Sequence, residues 1–447
     1  MLSDTSETLK QLFKDRNKRS HNAFKKAQNI LPGGSTREII FHQPYPLYIR
    51  KGKGCWIQDI DGHRILDFLN NYTSLILGHA HPKIVEAVKS QIINGTSFSA
   101  PTEHEHLLGT AINERIPSIE SIRFTNSGSE ATSLSILAAK AFTGNKKIAK
   151  FEGAYHGTNE NTMVSTNPSL KDAGPKEKPN SVPDGPHIQP NILENTIILP
   201  FNNQRTCEKL LYQNREELAA IIVEPVLGSA GIIPPKEGFM QFLGEITEKN
   251  NILLIFDEVV TGFRISRGGA QEKYRVKPDL TALGKNIGAG FPLGAFGGRK
   301  DIMAQFEPTR ENRIHHSGSL NANPVSLKAG LTLLEELTNE NYRKLSEQTS
   351  NVVRGLEKIF SEQRIDAKIT QSGSLFVVHF TSEKVIDYRS AMREDTVRKF
   401  NFFLGMLLNG VMIAPRGLGC ISTPMSNRDI DIFLQKVVES TIYLKER

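Results

Sequence analysis

The sequence predicts an α/β protein in which a mostly parallel central sheet is flanked by helices and a smaller α+β portion is attached. Three observations carry that expectation. Short strand patterns fall at 121–124, 148–151, 219–223 and 252–256, and the last two are unbroken apolar runs that read as strands covered on both faces. Helical patterns separate them, the succession that builds a parallel sheet. Polar residues close the runs, Glu224 and Asp257 among them, where open α/β sheets bind ligands in a crevice at their carboxyl ends. The 447 residues divide into an N-terminal helix and small-sheet segment over 1–80, a large domain over 81–324 and a C-terminal small domain over 325–447.

Composition narrows the function classes. With 38% hydrophobic and 23% charged residues, the chain is ordinary for a globular protein, and no apolar run reaches membrane-spanning length. The N-terminus lacks the short apolar core of a secretion signal, and Cys55, Cys207 and Cys420 are scattered, so a reducing, cytoplasmic setting without disulfides or structural zinc is expected. The net charge of +7 is spread along the chain without an aromatic-rich nucleic-acid signature. An anionic small-molecule substrate accounts for it.

In chain order, residues 1 to 30 alternate basic and apolar positions, as amphipathic helices packed on the body or on a second subunit do. A loop containing Arg37 follows Pro32, Gly33 and Gly34. Short alternating segments with a turn at Asp61-Gly62 predict a small antiparallel sheet, and a helix should begin near Pro82. His79 and His81 lack a third metal ligand and read as loop packing. After the strand ending at Phe124, the small-residue turn Asn126 to Ser129 opens a helix whose Leu134, Leu137, Ala138 and Ala141 are expected on one face. Amides at Gly128, Ser129 and Glu130 suit an anion at the helix start, although Ser127 and Glu130 also form a plain capping box. The strand ending at Phe151 leads to Tyr155 and His156, an aromatic turn able to stack on a flat ring. Residues 165 to 195, rich in Pro, Lys, Asn and Gly, predict a long, mobile excursion over the site. A second small-residue turn, Ser317 to Ser319, precedes a helix, and Arg416 stands in a loop between apolar strands.

The chemistry concentrates in 251–298. Asp257 ends the last strong strand, and beyond it Lys285 sits alone among Gly284, Gly288, Gly290 and Gly294. Glycines let backbone approach a bound group, and an apolar setting pushes an amine toward its neutral, nucleophilic form. A lysine for a Schiff base with a carboxylate to keep a ring nitrogen protonated suits pyridoxal 5'-phosphate.

With these motifs stated, the sequence resembles the class III aminotransferases of the fold type I pyridoxal-phosphate superfamily. The likeness rests on FTNSGSEA, KFEGAYHG, EPV, LLIFDEVVTGFR, PDLTALGK and GAFGGRKDIM, in family order. It implies that Lys285 carries the cofactor, Asp257 pairs with the pyridine nitrogen, and Val259 packs under the ring with Tyr155 above. It further implies that Gly128 and Ser129 hold the phosphate, with Ser127, His156 and Glu224 also among the cofactor-binding residues. Ser319 would reach the phosphate of a neighbouring subunit's cofactor, making the active unit a homodimer. The family usually has threonine where Ser129 and Ser319 stand; both keep the hydroxyl.

Within the family, the start STREIIFHQPYPL and the stretch APRGLG resemble the β-amino-acid (β-phenylalanine type) aminotransferases. Arg37, Tyr72 and Arg416 then lie at the substrate site, with Arg37 as the carboxylate clamp, because a guanidinium donates two parallel hydrogen bonds. The implied reaction moves an amino group from a β-amino acid to an oxo acid such as 2-oxoglutarate. Glutamate-1-semialdehyde aminomutase is the alternative; those enzymes tend to carry tryptophan where Tyr72 stands and a glutamate-bearing stretch where Arg416-Gly417 stands.

Overall fold

The computed structural model describes residues 2–445, and the chain divides into two units. The larger comprises Pro82–Tyr342 with Val385–Met392; the smaller comprises the chain up to His81, Arg343–Lys384 and the chain from Arg393 onward.

The larger unit is built on seven strands: β1 (Ser121–Thr125), β2 (Lys147–Phe151), β3 (Thr196–Leu199), β4 (Leu218–Val223), β5 (Leu253–Asp257), β6 (Leu280–Leu283) and β7 (Gly294–Gly298). Their spatial order is β1-β7-β6-β5-β4-β2-β3, with β2 to β6 joined by parallel pairings and β7 antiparallel to both neighbours. Every residue of β4, β5 and β6 is buried, which is why these strands read as uninterrupted apolar runs. On one face Ile221, Val223, Leu254 and Phe256 pack with Phe239 and Leu243 of the helix Phe239–Lys249. On the other, Ala220, Ile222, Leu253 and Ile255 pack with Ala131, Ile136 and Ala139 of the helix Gly128–Thr143. Each such large aliphatic side chain contributes roughly 1.5–3 kcal/mol by leaving water.

Several elements depart from the sequence expectation. The glycines of β7 are strand rather than pocket lining: a Cβ at Gly294 would lie 2.2 Å from the Ser127 carbonyl, and one at Gly298 2.0 Å from that of Asp279. Neighbouring backbone leaves no room for a side chain there. In the helix Gly128–Thr143, Leu137 and Ala141 are exposed, and the buried stripe runs through Ala131, Ser135, Ala138 and Ala139. Small residues let the helix lie close on the sheet, so residue size, and not hydropathy alone, chose the inward face. The helix Pro324–Glu336 does not open the C-terminal portion; it packs against Pro82–Ile93 and Glu103–Arg115 in the larger unit. The excursion after Ser165 is tied down by backbone bonds, including Gly153 N to Ser165 O at 2.9 Å and Ser165 N to Val182 O at 2.7 Å.

In the smaller unit the two ends of the chain share elements. Trp56–Asp59 pairs antiparallel with Ile49–Lys53 and Arg64–Asp67, and Val411–Met412 adds to Arg64–Asp67 in parallel. Leu9 and Phe13 of the helix Leu2–Arg16 are buried, and this helix packs on the helix Thr396–Leu408, where Ser6 Oγ donates to Asn401 Oδ1. A three-stranded antiparallel sheet of Lys368–Ser372, Leu375–His379 and Leu418–Cys420 completes it. His79 hydrogen-bonds Asp67 Oδ2 at 2.7 Å, as loop packing requires. Among the described residues no helix is long and apolar enough to cross a membrane.

Candidate active site

Asp257 ends β5 and is paired in register with Ala282 of β6, and Lys285 follows three residues after Ala282. The acid and the amine therefore stand at the carboxyl ends of adjacent parallel strands. Lys285 opens the single turn Lys285–Gly288, is half-buried, and has φ of +46°, a conformation uncommon for a residue with a Cβ. Asp257 is buried; its Oδ1 accepts from Val259 N at 3.0 Å and its Oδ2 lies 2.7 Å from His156 Nδ1. A carboxylate only accepts, so His156 Nδ1 is the donor. The other ring nitrogen, Nε2, is buried without a hydrogen-bond partner among protein groups.

The aromatic turn is held from several sides. Tyr155 N donates to Glu224 Oε1 at 3.0 Å, while Glu224 Oε2 accepts from Gly228 N at 3.0 Å and Ser229 N at 3.3 Å. Burial pushes the Glu224 carboxyl above its usual range. The structure thus places Glu224 as a brace for two loops through their amides. Thr132 Oγ1 donates to the His156 carbonyl at 2.6 Å. Ser127 serves as the helix cap: its Oγ accepts from Glu130 N at 3.2 Å, and Glu130 Oε2 accepts from Asn126 N at 3.0 Å. Ser129 Oγ accepts from Thr158 N at 3.3 Å.

A flat, phosphorylated cofactor fits what is present. A Cβ at Gly128 would meet the Val259 methyls at 2.8 Å, and one at Gly284 would meet Gly128 Cα at 3.1 Å, so strand ends, turn and Val259 close on one another only because side chains are absent. A Cβ at Gly157 would fall 2.5 Å from Ser129 Oγ. The donor set is an acid braced by histidine, an amine beside a glycine, and a helix start rich in amides, which suits a protonated ring nitrogen, an aldehyde and a phosphate.

The remaining candidates lie elsewhere. Ser319 is exposed on the rim of a cleft of about 960 Å³ that also takes in Ser97, Phe98, Ile122 and His316. Its turn is tied to the first small-residue turn, since Asn126 Nδ2 donates to Asn321 Oδ1 at 2.7 Å and Arg123 Nε to His316 Nδ1 at 3.0 Å.

Arg37, Tyr72 and Arg416 belong to the smaller unit. Arg37 donates to Asn71 Oδ1 at 2.7 Å, and its guanidinium lies 5.9 Å from the Tyr72 ring centre. Tyr72 is buried and donates to the Ile39 carbonyl. Burial raises its pKa, opposed by the charges of Arg416 and Arg37, so the two guanidinium groups act on one phenol. These residues sit on a strained support. Asn70, Asn71, Tyr72 and Thr73 all have positive φ, from +48° to +74°, one turn of left-handed helix in L-residues. Such a turn costs on the order of 1–2 kcal/mol per residue and persists only where surroundings enforce it. Asp67 Oδ1 does so by accepting from Leu69 N and Asn70 N, both at 2.9 Å, and Asn70 Nδ2 donates to the Cys420 carbonyl at 3.1 Å.

The family pattern described as aminotransferase class-III matches residues 41–428. The chain belongs to the class-III aminotransferases. A curated relative, the glutamate-1-semialdehyde 2,1-aminomutase of Methanothermobacter thermautotrophicus, is 41% identical over 96% of this chain and 100% of its own. Among solved structures, an omega-transaminase from Sphaerobacter thermophilus superposes with a TM-score of 0.92 at 40% identity, covering 95% of this chain and 97% of that one. A beta-phenylalanine aminotransferase from Variovorax paradoxus gives a TM-score of 0.90 at 32% identity, over 99% and 97%.

For this class-III aminotransferase, sequence reasoning missed Asn71 and the strained turn around it. The pair Asn70-Asn71 was the available signal, because asparagine tolerates the left-handed region better than most residues. It also missed Lys150 and Glu152, which brace the aromatic turn from the residues just before it, and Arg389, which reaches Glu152 from far along the chain.

Proposed function

We propose that this class-III aminotransferase binds pyridoxal phosphate at the carboxyl ends of β5 and β6 and moves an amino group of a small carboxylate-bearing amine. The observation that carries the reading is the placement of Lys285 and Asp257 on adjacent strand ends, with His156 hydrogen-bonded to the acid. When bound, the cofactor supplies an electron sink for the bond broken at the amine-bearing carbon. Asp257, oriented by His156 and Val259 N, holds a proton on the ring nitrogen. Lys285 would hold the cofactor, and its Nζ would move the proton at the amine-bearing carbon. Gly128 and Ser129 supply amides and a hydroxyl for the phosphate, and Tyr155 and Val259 flank the ring. Arg37, Tyr72 and Arg416 select and orient the substrate carboxylate.

The curated relatives support transfer within one molecule, of the glutamate-1-semialdehyde aminomutase type, ahead of the β-amino-acid transaminase expected from the sequence motifs. The second reading, transfer from a β-amino acid to an oxo acid, draws on a specific observation. The Arg37 guanidinium lies over the Tyr72 ring, and a ping-pong transferase must seat the carboxylates of two successive substrates. A homodimer belongs to the same proposal, since exposed Ser319 borders an open cleft that a second copy would cover.

The deciding experiment follows product formation by protein loaded with pyridoxal phosphate, with and without an oxo acid acceptor. Sustained turnover of glutamate-1-semialdehyde without acceptor establishes the aminomutase. Turnover of β-amino acids that stops after one equivalent per site until 2-oxoglutarate is added establishes the transaminase. Protein that binds no pyridoxal phosphate refutes both.

A further inference from the structure

The segment Val385–Met392 belongs to the larger unit although the residues on either side of it belong to the smaller one. It is a short excursion of the chain that carries one arginine with an unusually full set of partners. Arg389 Nε and Nη2 donate to Glu152 Oε2 and Oε1, both at 2.8 Å, in a bidentate pair. Its Nη1 donates to the Gly174 carbonyl at 2.8 Å, and Nη2 also reaches the carbonyls of Ala173 at 3.0 Å and Pro175 at 3.4 Å. Glu152 is buried at 3% exposure, so the ion pair is shielded from water on the carboxylate side. Next to it, a Cβ at Gly153 would fall 2.2 Å from the Tyr388 ring, and Tyr388 Oη donates to the Pro168 carbonyl at 2.6 Å, with Asn167 Oδ1 also 3.0 Å away. Lys176 joins Asp387 at 3.0 Å.

These contacts converge on the first residues of the aromatic turn. Glu152 and Gly153 precede Ala154, Tyr155 and His156. The other side of the turn is fixed too, because buried Lys150 donates to the Ala154 carbonyl at 2.9 Å and to the Val164 carbonyl. A turn pinned at Glu152, Ala154, Tyr155 N and the His156 carbonyl has little freedom left. A guanidinium is suited to the work, since its planar fork engages a carboxylate and backbone carbonyls at once.

We propose that Arg389 is a positioning residue for the cofactor: acting through Glu152, it fixes the aromatic turn Tyr155–His156 in the place where it meets the ring. The inference rests on the proposed binding of pyridoxal phosphate. It differs from a role in stability alone by what it predicts for the bound cofactor. A turn that can shift by a fraction of an ångström should hold the ring less tightly and in a less defined orientation.

The test titrates full-length wild type, Arg389→Ala, Arg389→Lys and Glu152→Gln with pyridoxal phosphate. Affinity is read from the visible absorbance, and ring orientation from the visible circular dichroism per bound cofactor. Arg393→Ala, which removes an exposed ion pair with Glu383 in the smaller unit, serves as control. Arg389→Ala is expected to bind about tenfold more weakly, with a diminished dichroic signal, because small misplacements at a site have large effects. Arg389→Lys should recover part of both, Glu152→Gln should fall between, and Arg393→Ala should match the wild type. Wild-type affinity and dichroism in Arg389→Ala and Glu152→Gln, even with lower melting temperatures, would overturn the inference and leave the proposed function standing. If Arg389→Ala does not fold, Glu152→Gln decides by the same two readouts. Wild-type protein that never takes up pyridoxal phosphate sinks both.

Discussion

The two groups of candidate residues, one in each unit, are built on different physical terms. In the larger unit, Lys285, Asp257, Glu224 and the start of the helix Gly128–Thr143 occupy the ends of regular elements, held in place by a sheet whose central strands are wholly buried. In the smaller unit, Arg37, Asn71, Tyr72 and Arg416 come from loops and from a left-handed turn that is unfavourable in isolation. The first arrangement is rigid because the fold is. The second is held by side-chain bonds to Asp67 and Cys420, so it can be altered by substitutions that leave the sheet untouched. Under the proposed function, the chemistry common to all substrates falls to the scaffold and the choice between substrates to the loops.

The comparison breaks most visibly at Lys285. Lys285→Ala should lower steady-state turnover by at least about 10⁴-fold and remove the visible band of loaded protein, since nucleophile and proton carrier are lost together. Unchanged transamination in that variant would contradict the site assignment. Asp257→Ala comes next. Beyond a loss of activity, it leaves His156 without its partner in a buried setting, which should lower folding stability by roughly 1–3 kcal/mol in denaturant titration.

The cluster in the smaller unit should respond differently. Arg37→Ala and Arg416→Ala are each expected to raise KM for carboxylate substrates about 10- to 100-fold, the range of one charge-assisted hydrogen-bonded contact, with cofactor absorbance unchanged. Equal KM for carboxylate and carboxylate-free amines in the wild type would mean that this cluster does not read the carboxylate. Asn71→Gly sharpens the contrast within one residue. Glycine adopts φ of +50° without strain, so the melting temperature should hold or rise slightly, while KM should increase because Arg37 loses its 2.7 Å partner.

The smallest effect is a pH dependence in the larger unit. Burial depresses the Lys150 ammonium to about 8 from 10.5. Above pH 8 the native state sheds this proton while the unfolded chain keeps it up to about 10.5, so the unfolded state binds more protons across that window. The cost of the buried charge is present below pH 8 and is relieved as pH rises. Wild type should therefore gain stability relative to Lys150→Met between pH 8 and 10.5 in denaturant melts, and a flat difference would refute the assignment.

Much of the larger unit was legible in advance. β4 and β5 show as unbroken apolar runs, because a strand buried on both faces leaves that signature, whereas β1 and β2 show only as short segments between helical patterns. β6 and β7 were not: LTAL is too short to stand out, and GAFGG looks like a loop until neighbouring backbones are seen pressing on it. Arg37, Tyr72 and Arg416 were reached through family likeness, while the strain at Asn70–Thr73 that supports them lies outside what periodicity can express.

The sequence by itself determined the alternation of strands and helices, the acid at a strand end with a lone lysine among glycines beyond it, and the small-residue turn that opens a helix, since each is written in local hydropathy or spacing. Only the tertiary structure decided that Val385–Met392 crosses to brace the aromatic turn, that Pro324–Glu336 joins the larger unit, and that four consecutive residues sit left-handed beside Arg37. The physical reason is range. Propensity and periodicity act over a few residues, whereas Arg389 to Glu152 and Asn70 to Cys420 join groups hundreds of positions apart, and such bonds exist only once the chain has folded.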